Sequence, residues 1–281
     1  YIRMSSDAPI WVAIVRVISL LWAIIFRITC LLTMLCITLS LSKRWDGDRM
    51  IILDGYAHWF ILLIFLAVLA RPAEVFCAWP DTPEFNVPIC TAPGTQEHPR
   101  IVTDGASGAI IVWQDISSSS ADIYAQRLDA RGEVRWTKDG VAVCLEKGNQ
   151  WHPNLIYDGA GGAIIAWWDE RSGGGEMDIY AQRINGDGQV QWQPGGVPVC
   201  TAPSVQEEFC ITSDGAGGAI IAWHDYRSAP NIYAQRISAN GEIQWERDGI
   251  VATKQVSYKG YPAIVSDGAG GAIITWHDWR G

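Results

Sequence analysis

Apolar residues are distributed differently before and after Pro80. Residues 10–42 and 57–70 are almost continuously apolar, which predicts hydrophobic helical segments. After Pro80 the apolar residues come in short runs such as GAIIAW, bounded by Gly, Asp and Asn. Such runs are typical of strands buried on both faces and joined by tight turns. The pattern therefore predicts a strand-rich region that begins near residue 79.

Residues 57–70 have the length of the apolar part of a secretory signal peptide and are too short to span a bilayer comfortably. We interpret residues 50–78 as a signal-peptide-like segment that starts at Met50, with cleavage near residues 75–78. The sequence therefore predicts that the following region is exported.

Residues 10–42 are long enough to cross a membrane, but Arg16 and Arg27 interrupt them. A charge near the bilayer centre costs about 2.5–3.5 kcal/mol on insertion scales. Two interpretations of residues 1–49 stay open: a membrane helix followed by a basic cytoplasmic turn, or upstream sequence read in frame before Met50. Both place the region after residue 78 outside the cytoplasm, so we expect a secreted or cell-surface protein, membrane-anchored only through its N-terminal segment.

Internal repetition dominates the rest of the chain. The motif DGASGAIIVWQD begins at Asp104, and close copies begin at Asp158, Asp214 and Asp267, roughly 54 residues apart. Two further motifs recur between these copies. The motif (D/N)IYAQR occupies 122–127, 178–183 and 231–236, and the segments NVPIC, GVAVC, GVPVC and GIVAT end at Cys90, Cys144, Cys200 and Thr253.

Each repeat divides into four short strands separated by turn residues, which is the composition of one propeller blade. The 28 Gly and 15 Trp residues also favour short strands over helices. We predict an all-β fold, namely a β-propeller fragment of about three and a half four-stranded blades over residues 79–281. Its predicted units are residues 97–146, 151–202, 207–254 and 261–281, plus a stray strand at 86–90.

The repeats resemble the DGAGGAIIxWxDxR and DIYAQRI units of large exported bacterial proteins of uncharacterised function, and the resemblance covers residues 85–281. More distantly, a Gly-x-x-x-Trp motif resembles the tryptophan-docking motif of quinoprotein-type propellers. This motif ends at Trp136, Trp192 and Trp245. The resemblance implies an exported propeller in which these three tryptophans have a structural role.

A Trp and an Asp recur in every repeat, and an Arg follows them in three. These residues are Trp113 and Asp115; Trp167, Asp169 and Arg171; Trp223, Asp225 and Arg227; Trp276, Asp278 and Arg280. They would form either a ring that binds sugar or cation, or a repeated packing and turn element. We favour the structural interpretation, because a residue present in every blade usually serves what every blade needs.

Positions that vary between repeats are better candidates for ligand contact. The selected residues adjoin the recurring Asp and are Trp168, Glu170, His224, Tyr226, His277 and Trp279. Aromatic rings with His and carboxyl groups can stack on a polysaccharide and hydrogen-bond to it. The alternative is that these side chains only shield neighbouring blades.

No sequence motif indicates catalysis, a metal or a cofactor. The chain has no nucleophile elbow, phosphate loop or zincin motif, and no closely spaced His-x-His or Cys-x-x-Cys. Asp169 and Glu170 are adjacent on a predicted strand and face opposite sides, so they do not form a glycosidase pair. We therefore predict no catalytic residue, no metal and no cofactor in this chain.

Charge and cysteine usage restrict the partners and the redox chemistry. A formal net charge of −9 argues against nucleic acid as a partner. The repeat-equivalent cysteines are expected to be small buried hydrophobes, whereas Cys200 and Cys210 flank a blade junction and are candidates for a disulfide.

The sequence favours an exported, non-catalytic binding or scaffold module for carbohydrate or a surface protein. The alternative is a propeller enzyme, of glycan-hydrolase or quinoprotein type, whose catalytic residues lie outside this fragment.

Overall fold

The computed structural model describes residues 43–46, 49–52, 86–116, 119–253 and 257–279. The chain divides into two compact units, Tyr1–Val75 and Phe76–Gly281. In the first unit, β1 (Lys43–Asp46) and β2 (Arg49–Ile52) form an antiparallel hairpin at the predicted basic turn. The apolar segments 10–42 and 57–70 lie outside the described residues. Within the described ranges, no helix is long and apolar enough to cross a membrane.

The second unit contains three complete four-stranded antiparallel sheets and one two-stranded sheet. Blade 1 comprises β3 (Thr95–Thr103), β4 (Ala109–Ile116), β5 (Asp122–Leu128) and β6 (Val141–Cys144). Blade 2 comprises β7 (Gln150–Tyr157), β8 (Ala163–Asp169), β9 (Asp178–Ile184) and β10 (Val197–Cys200). Blade 3 comprises β11 (Gln206–Ser213), β12 (Ala219–Asp225), β13 (Asn231–Ile237) and β14 (Ile250–Val251), and half-blade 4 comprises β15 (Tyr258–Ser266) and β16 (Ala272–Trp279).

The Asp-Gly turn between the first two strands of a blade is fixed by its aspartate. In blade 1, Asp104 Oδ1 accepts the N–H groups of Ala106 and Gly108 at 2.8 and 2.7 Å. Its other carboxylate oxygen pairs with Arg127 of the third strand at 2.9 Å. The same ion pair recurs at 2.9 Å as Arg183–Asp158 and Arg236–Asp214. The two recurring motifs of the sequence therefore meet within each blade.

The core lies between successive blades. The second strand of each complete blade is buried on both faces, since a neighbouring blade or, for blade 1, the segment 86–90 packs on each side of its sheet. Trp167 of blade 2 packs in one cluster with Val143 and Cys144 of blade 1, and Trp223 of blade 3 packs with Val199 of blade 2. The first strands β3, β7, β11 and β15 lie side by side in chain order. This arrangement confirms the predicted all-β propeller fragment.

In blades 1 and 2, a second tryptophan hydrogen-bonds to the following blade. Trp136 of blade 1 donates its indole N–H to Gly186 of blade 2, and Trp192 of blade 2 donates to Ala239 of blade 3, both at 3.0 Å. Each ring lies on the glycine of the following Gly-x-x-x-Trp motif. Trp245 of blade 3 is half-buried beside a groove lined by Val199 and Ile243.

Residues 86–90, predicted as a stray strand, are not paired into a sheet among the described residues. Val87, Ile89 and Cys90 nevertheless pack against the core of blade 1. Thr91 N–H donates to Asp139 at 2.7 Å, as Thr201 does to Asp248 at 2.8 Å. The segment therefore covers blade 1 as β10 covers blade 3, but it lacks the hydrogen-bonded neighbour that defines a strand.

Cys200 and Cys210 are free thiols with separate partners, so the candidate disulfide is absent. Cys200 Sγ lies 3.1 Å from the Arg227 guanidinium, whereas Cys210 Sγ donates to the Ala222 carbonyl at 3.6 Å. Burial raises the pKa of both thiols to about 12. They lie on different faces of a packed junction, which keeps them apart.

Candidate functional site

The recurring Trp and Asp form a repeated contact inside the blades. The indole N–H donates to the carboxylate at 3.2 Å in Trp113–Asp115, 2.8 Å in Trp167–Asp169 and 2.7 Å in Trp223–Asp225. In half-blade 4, Trp276 and Asp278 occupy the equivalent positions on β16, and Arg280 lies outside the described residues.

The arginine that follows completes this contact in blades 2 and 3. Arg171 binds both oxygens of Asp169 at 2.8 and 2.6 Å and donates to the Gly195 carbonyl at 2.7 Å. Its guanidinium also lies 3.8 Å over the Tyr180 ring. Arg227 contacts Asp225 and the Tyr233 ring in the same way. These carboxylates are occupied by protein donors, so the group acts as a packing and turn element.

The first strand of every blade contains a β-bulge where its register against the second strand shifts. The bulged residue has a positive φ of 49–54° in all four and is not glycine. Bulges re-aim side chains, and such φ values are uncommon for residues with a Cβ. We call these four residues the bulge row: His98, His152, Glu208 and Tyr261. Because their strands lie side by side, the row follows one rim of the propeller.

The variable positions of the second strands lie against the bulge row. Gln114, Trp168, His224 and His277 each pair with the residue that precedes a bulge. Three of the sequence-predicted residues, Trp168, His224 and His277, are therefore at this rim, and two more, Tyr226 and Trp279, contact it. The sequence patterns missed the bulge row itself.

The rim of blades 1 and 2 is built from two histidines and a tryptophan. The rings of His98 and His152 are 4.0 Å apart, and His152 lies 4.7 Å from Trp168. The N–H of His152 donates to the Gln114 side chain at 3.2 Å. Trp168 continues the contact to Phe209 of blade 3, with ring centroids 6.0 Å apart. Aromatic groups are thus continuous across two blade junctions.

The rim of blades 3 and 4 combines aromatic rings with a carboxylate. His224 lies 4.3 Å from Tyr226 and 5.5 Å from Tyr258, and the two tyrosine hydroxyls are 3.0 Å apart. Glu208 accepts the backbone N–H of Tyr261 at 2.7 Å, and His224 Nδ1 lies 3.9 Å from the same carboxylate.

Half-blade 4 extends this rim with exposed rings. Trp279 lies 5.1 Å from Tyr258, 6.0 Å from Tyr261 and 5.7 Å from His277. These side chains lie next to one another although they come from both strands, since Tyr258 is directly opposite Trp279 in the sheet.

Glu170 is the one sequence-predicted residue that lies away from the rim contacts. Its carboxylate accepts the side-chain N–H of Asn149 at 2.7 Å, and its backbone N–H donates to the Asn149 carbonyl at 2.9 Å. Glu170 therefore holds the loop that leads into β7. The physical reason is that it has left β8 and begun the turn capped by Asp169.

Burial and hydrogen bonding shift the pKa values of three side chains at the rim. Desolvation lowers the pKa of His224 and of His152, so both imidazoles are neutral near pH 7. The hydrogen bond to Tyr258 raises the pKa of Tyr226, so that phenol also stays neutral. His224 Nε2 and Trp168 Nε1 are buried without a hydrogen-bond partner among the described residues. An orphaned buried polar atom is costly, and Gln150 Oε1 and Gln206 Oε1 at the starts of β7 and β11 share this property.

In the described part of the chain, no group of three or more His, Cys, Asp or Glu side chains is placed to hold a metal ion. The rim instead offers aromatic faces, neutral histidines and the carboxylates of Glu97, Glu207 and Glu208, which suit stacking and hydrogen bonding. One sequence signal marks the bulge row. A proline follows three of its members, His98, His152 and Tyr261.

No protein-family model and no curated protein matches this sequence. Among solved structures, the chain is similar to the endo-arabinase from Bacteroides thetaiotaomicron, with 15% identity and a TM-score of 0.40 over 66% of this chain and 71% of that one. The alpha-L-arabinofuranosidase from Fusarium graminearum has 14% identity and a TM-score of 0.35 over 60% of this chain and 53% of that one. A family 117 glycoside hydrolase from Zobellia galactanivorans has 12% identity and a TM-score of 0.37 over 69% of this chain and 64% of that one. Values this low transfer neither a substrate nor an activity to this chain.

Proposed function

We propose that this chain is an exported, non-catalytic propeller that binds polysaccharide along the rim formed by the bulge row and the variable second-strand residues. One observation carries the proposal. Four successive repeats keep a bulge with a left-handed backbone, and fill it with large polar or aromatic side chains of three types, His, Glu and Tyr. The backbone of the bulge is the same in all four repeats while the residue type at the bulge changes. The backbone therefore does not dictate the identity of these residues.

The backbone conformation makes the choice of side chains informative. A residue with a Cβ pays about 1–2 kcal/mol in the left-handed region, and glycine avoids that cost. The chain uses glycine freely in its turns but places His, His, Glu and Tyr at the bulges. Strain retained at equivalent sites is typical of positions that serve ligand contact.

The chemistry of the rim suits carbohydrate. Aromatic rings stack on the apolar faces of sugars, and neutral His, Gln and Tyr side chains hydrogen-bond to hydroxyl groups. Trp168, Tyr258, Tyr261 and Trp279 supply such rings over blades 2 to 4. Export is supported by the signal-like composition of residues 57–70.

The test is a polysaccharide array probed with the full chain, with every hit assayed for product release. Trp168→Ala is expected to weaken binding about tenfold, since it removes a stacking ring. Trp245→Ala is the matched control, because Trp245 is a half-buried tryptophan of the outer strands and is expected to leave affinity unchanged. Circular dichroism verifies that both variants fold.

Release of product from any bound polysaccharide would overturn the non-catalytic assignment and favour the propeller-enzyme alternative. Equal losses for Trp168→Ala and Trp245→Ala would place binding elsewhere than the rim. Binding only to a surface protein would replace carbohydrate as the ligand.

A further inference from the structure

The rim of blades 3 and 4 carries a carboxylate without a cationic partner. Glu208 is 29% exposed, and in the described part of the chain no Lys or Arg lies within ion-pair distance of it. The neighbouring Arg227 is bound to Asp225, and the buried Lys259 donates to the Ser257 carbonyl at 3.1 Å. The negative charge of Glu208 is therefore available to a cation from solution.

Aromatic faces surround this charge. Tyr258, Tyr261 and Trp279 are 46%, 59% and 48% exposed, and the Trp279 ring contacts both tyrosines. The backbone of Tyr261 is held by Glu208, and the hydroxyl of Tyr258 by Tyr226. Aromatic rings beside a carboxylate recognise ammonium groups through cation–π attraction and charge together.

His224 lies buried beside this carboxylate. It is 2% exposed, and its Nδ1 faces Glu208, which favours the proton on Nδ1 and leaves Nε2 as an acceptor. Nε2 has no partner among the described residues. A Cβ on Gly260 would lie 3.2 Å from His224 Nδ1 and 3.5 Å from Glu208, so glycine leaves room between the two groups.

An ammonium group is a cation with three donors and no acceptor, which matches an exposed carboxylate beside aromatic rings. We propose that the rim of blades 3 and 4 binds the ammonium group of an amino sugar, so that the polysaccharide recognised by this chain carries free amino groups. This inference rests on the proposed function and names its substrate class.

The rest of the rim has different electrostatics. At blades 1 and 2 the rim contains two histidines, and both Arg100 and Glu97 act electrostatically on His152. The Glu97 carboxylate accepts the side-chain N–H of Gln114 at 3.1 Å, and Trp168 and Phe209 at the next junction are uncharged. Opposite charges are therefore present together at blade 1, whereas no Lys or Arg of the described residues pairs with Glu208, where the amino group is recognised.

The experiment measures binding of the full chain to a chitosan hexamer and to its fully N-acetylated counterpart by titration calorimetry. Chitosan is expected to bind about tenfold more tightly. Glu208→Gln, which keeps the acceptor for the Tyr261 N–H, is expected to abolish the difference by lowering the affinity for chitosan to that for the acetylated hexamer. Glu242→Gln is the control, because it removes the same charge from an exposed outer turn.

Equal affinity for the two hexamers would overturn the inference, as would equal effects of Glu208→Gln and Glu242→Gln, which would indicate attraction by net charge alone. Polysaccharide binding that is lost in Trp168→Ala but shows no preference for chitosan over its acetylated counterpart would overturn this inference and leave the proposed function intact. Absence of any polysaccharide binding would overturn both.

Discussion

The indole N–H of Trp136 hydrogen-bonds to the carbonyl oxygen of Gly186 in the next blade, and the ring lies on Gly188 of the same turn. Trp192 repeats the contact with Ala239 and Gly241 one blade further on. A side chain near the end of one repeat is therefore received by a turn of the following one. This contact links the outer parts of blades whose cores already pack together.

Gly188→Ala is expected to destabilise the protein by about 2–5 kcal/mol in urea unfolding. The added Cβ would lie 2.9 Å from the Trp136 ring, and the residue has φ +81°. The clash and the left-handed strain both contribute. Gly215→Ala, at φ +74° with nothing within 4 Å, isolates the strain and is expected to cost about 1–2 kcal/mol. Equal effects of the two variants would show that the tryptophan contact is unimportant.

Asp169→Asn is expected to lower the free energy of unfolding by about 3–5 kcal/mol, because it leaves the mostly buried Arg171 guanidinium without its counter-charge. Arg135→Gln breaks an exposed ion pair of 3.7 Å with Asp129 and is expected to cost under about 1 kcal/mol. Chemical denaturation of both variants measures the difference. A small effect at Asp169 would contradict its structural role.

At the bulge row, a glycine variant is expected to be more stable than an alanine variant, which reverses the usual order within strands. At the exposed His152, with φ +49°, Gly is expected to be about 1 kcal/mol more stable than Ala. At Ile101, an exposed β3 residue without positive φ, Ala is expected to be the more stable. Thermal unfolding of the four variants tests this order. If the alanine variant is more stable than the glycine variant at both sites, the bulge is not strained.

The free energy of unfolding is expected to fall as pH falls from about 7.5 to 5. Desolvation lowers the pKa of His224 and His152 in the folded state, so the unfolded chain binds protons first, near pH 6.5. The lowered pKa values of Asp104 and Asp214 act only at lower pH, below about 4. Urea titrations across this range measure the slope, and His224→Gln is expected to flatten it. An unchanged slope would refute the contribution of His224.

Three thiols are expected to resist alkylation at pH 8 in the folded protein. Burial raises the pKa of Cys144 to about 11 and that of Cys200 and Cys210 to about 12, so the reactive thiolate is scarce. Iodoacetamide labelling followed by peptide mass spectrometry, with a denatured sample as control, measures each site. A Cys200–Cys210 disulfide in the unreduced digest would contradict the packing described.

The blade frame could be predicted because its determinants are local. The Asp-Gly pair at 104–105 and the alternating contacts of IYAQR act within one repeat, and the repetition displays them several times. Trp168, His224 and His277 could be selected as candidates because they depart from that repetition. Their proximity follows once the blades are placed side by side.

The bulge row could not be read in the same way. A bulge is a mismatch between two strands, and nothing in QEHPRIVT alone shows that His98 is the extra residue. Glu170 was misplaced for a related reason, since the end of β8 is decided by the Asp169 cap and not by the hydrophobic pattern.

Each complete blade is fixed internally by its Asp-Arg pair and externally only by its immediate neighbours, and each contributes one bulged residue to the rim. Duplicating or exchanging a whole repeat therefore inserts or replaces one rim residue while the contacts at both junctions are rebuilt from the same motifs. In evolutionary terms, the array can acquire a new order of rim residues by recombination between repeats, without any compensating change in the core.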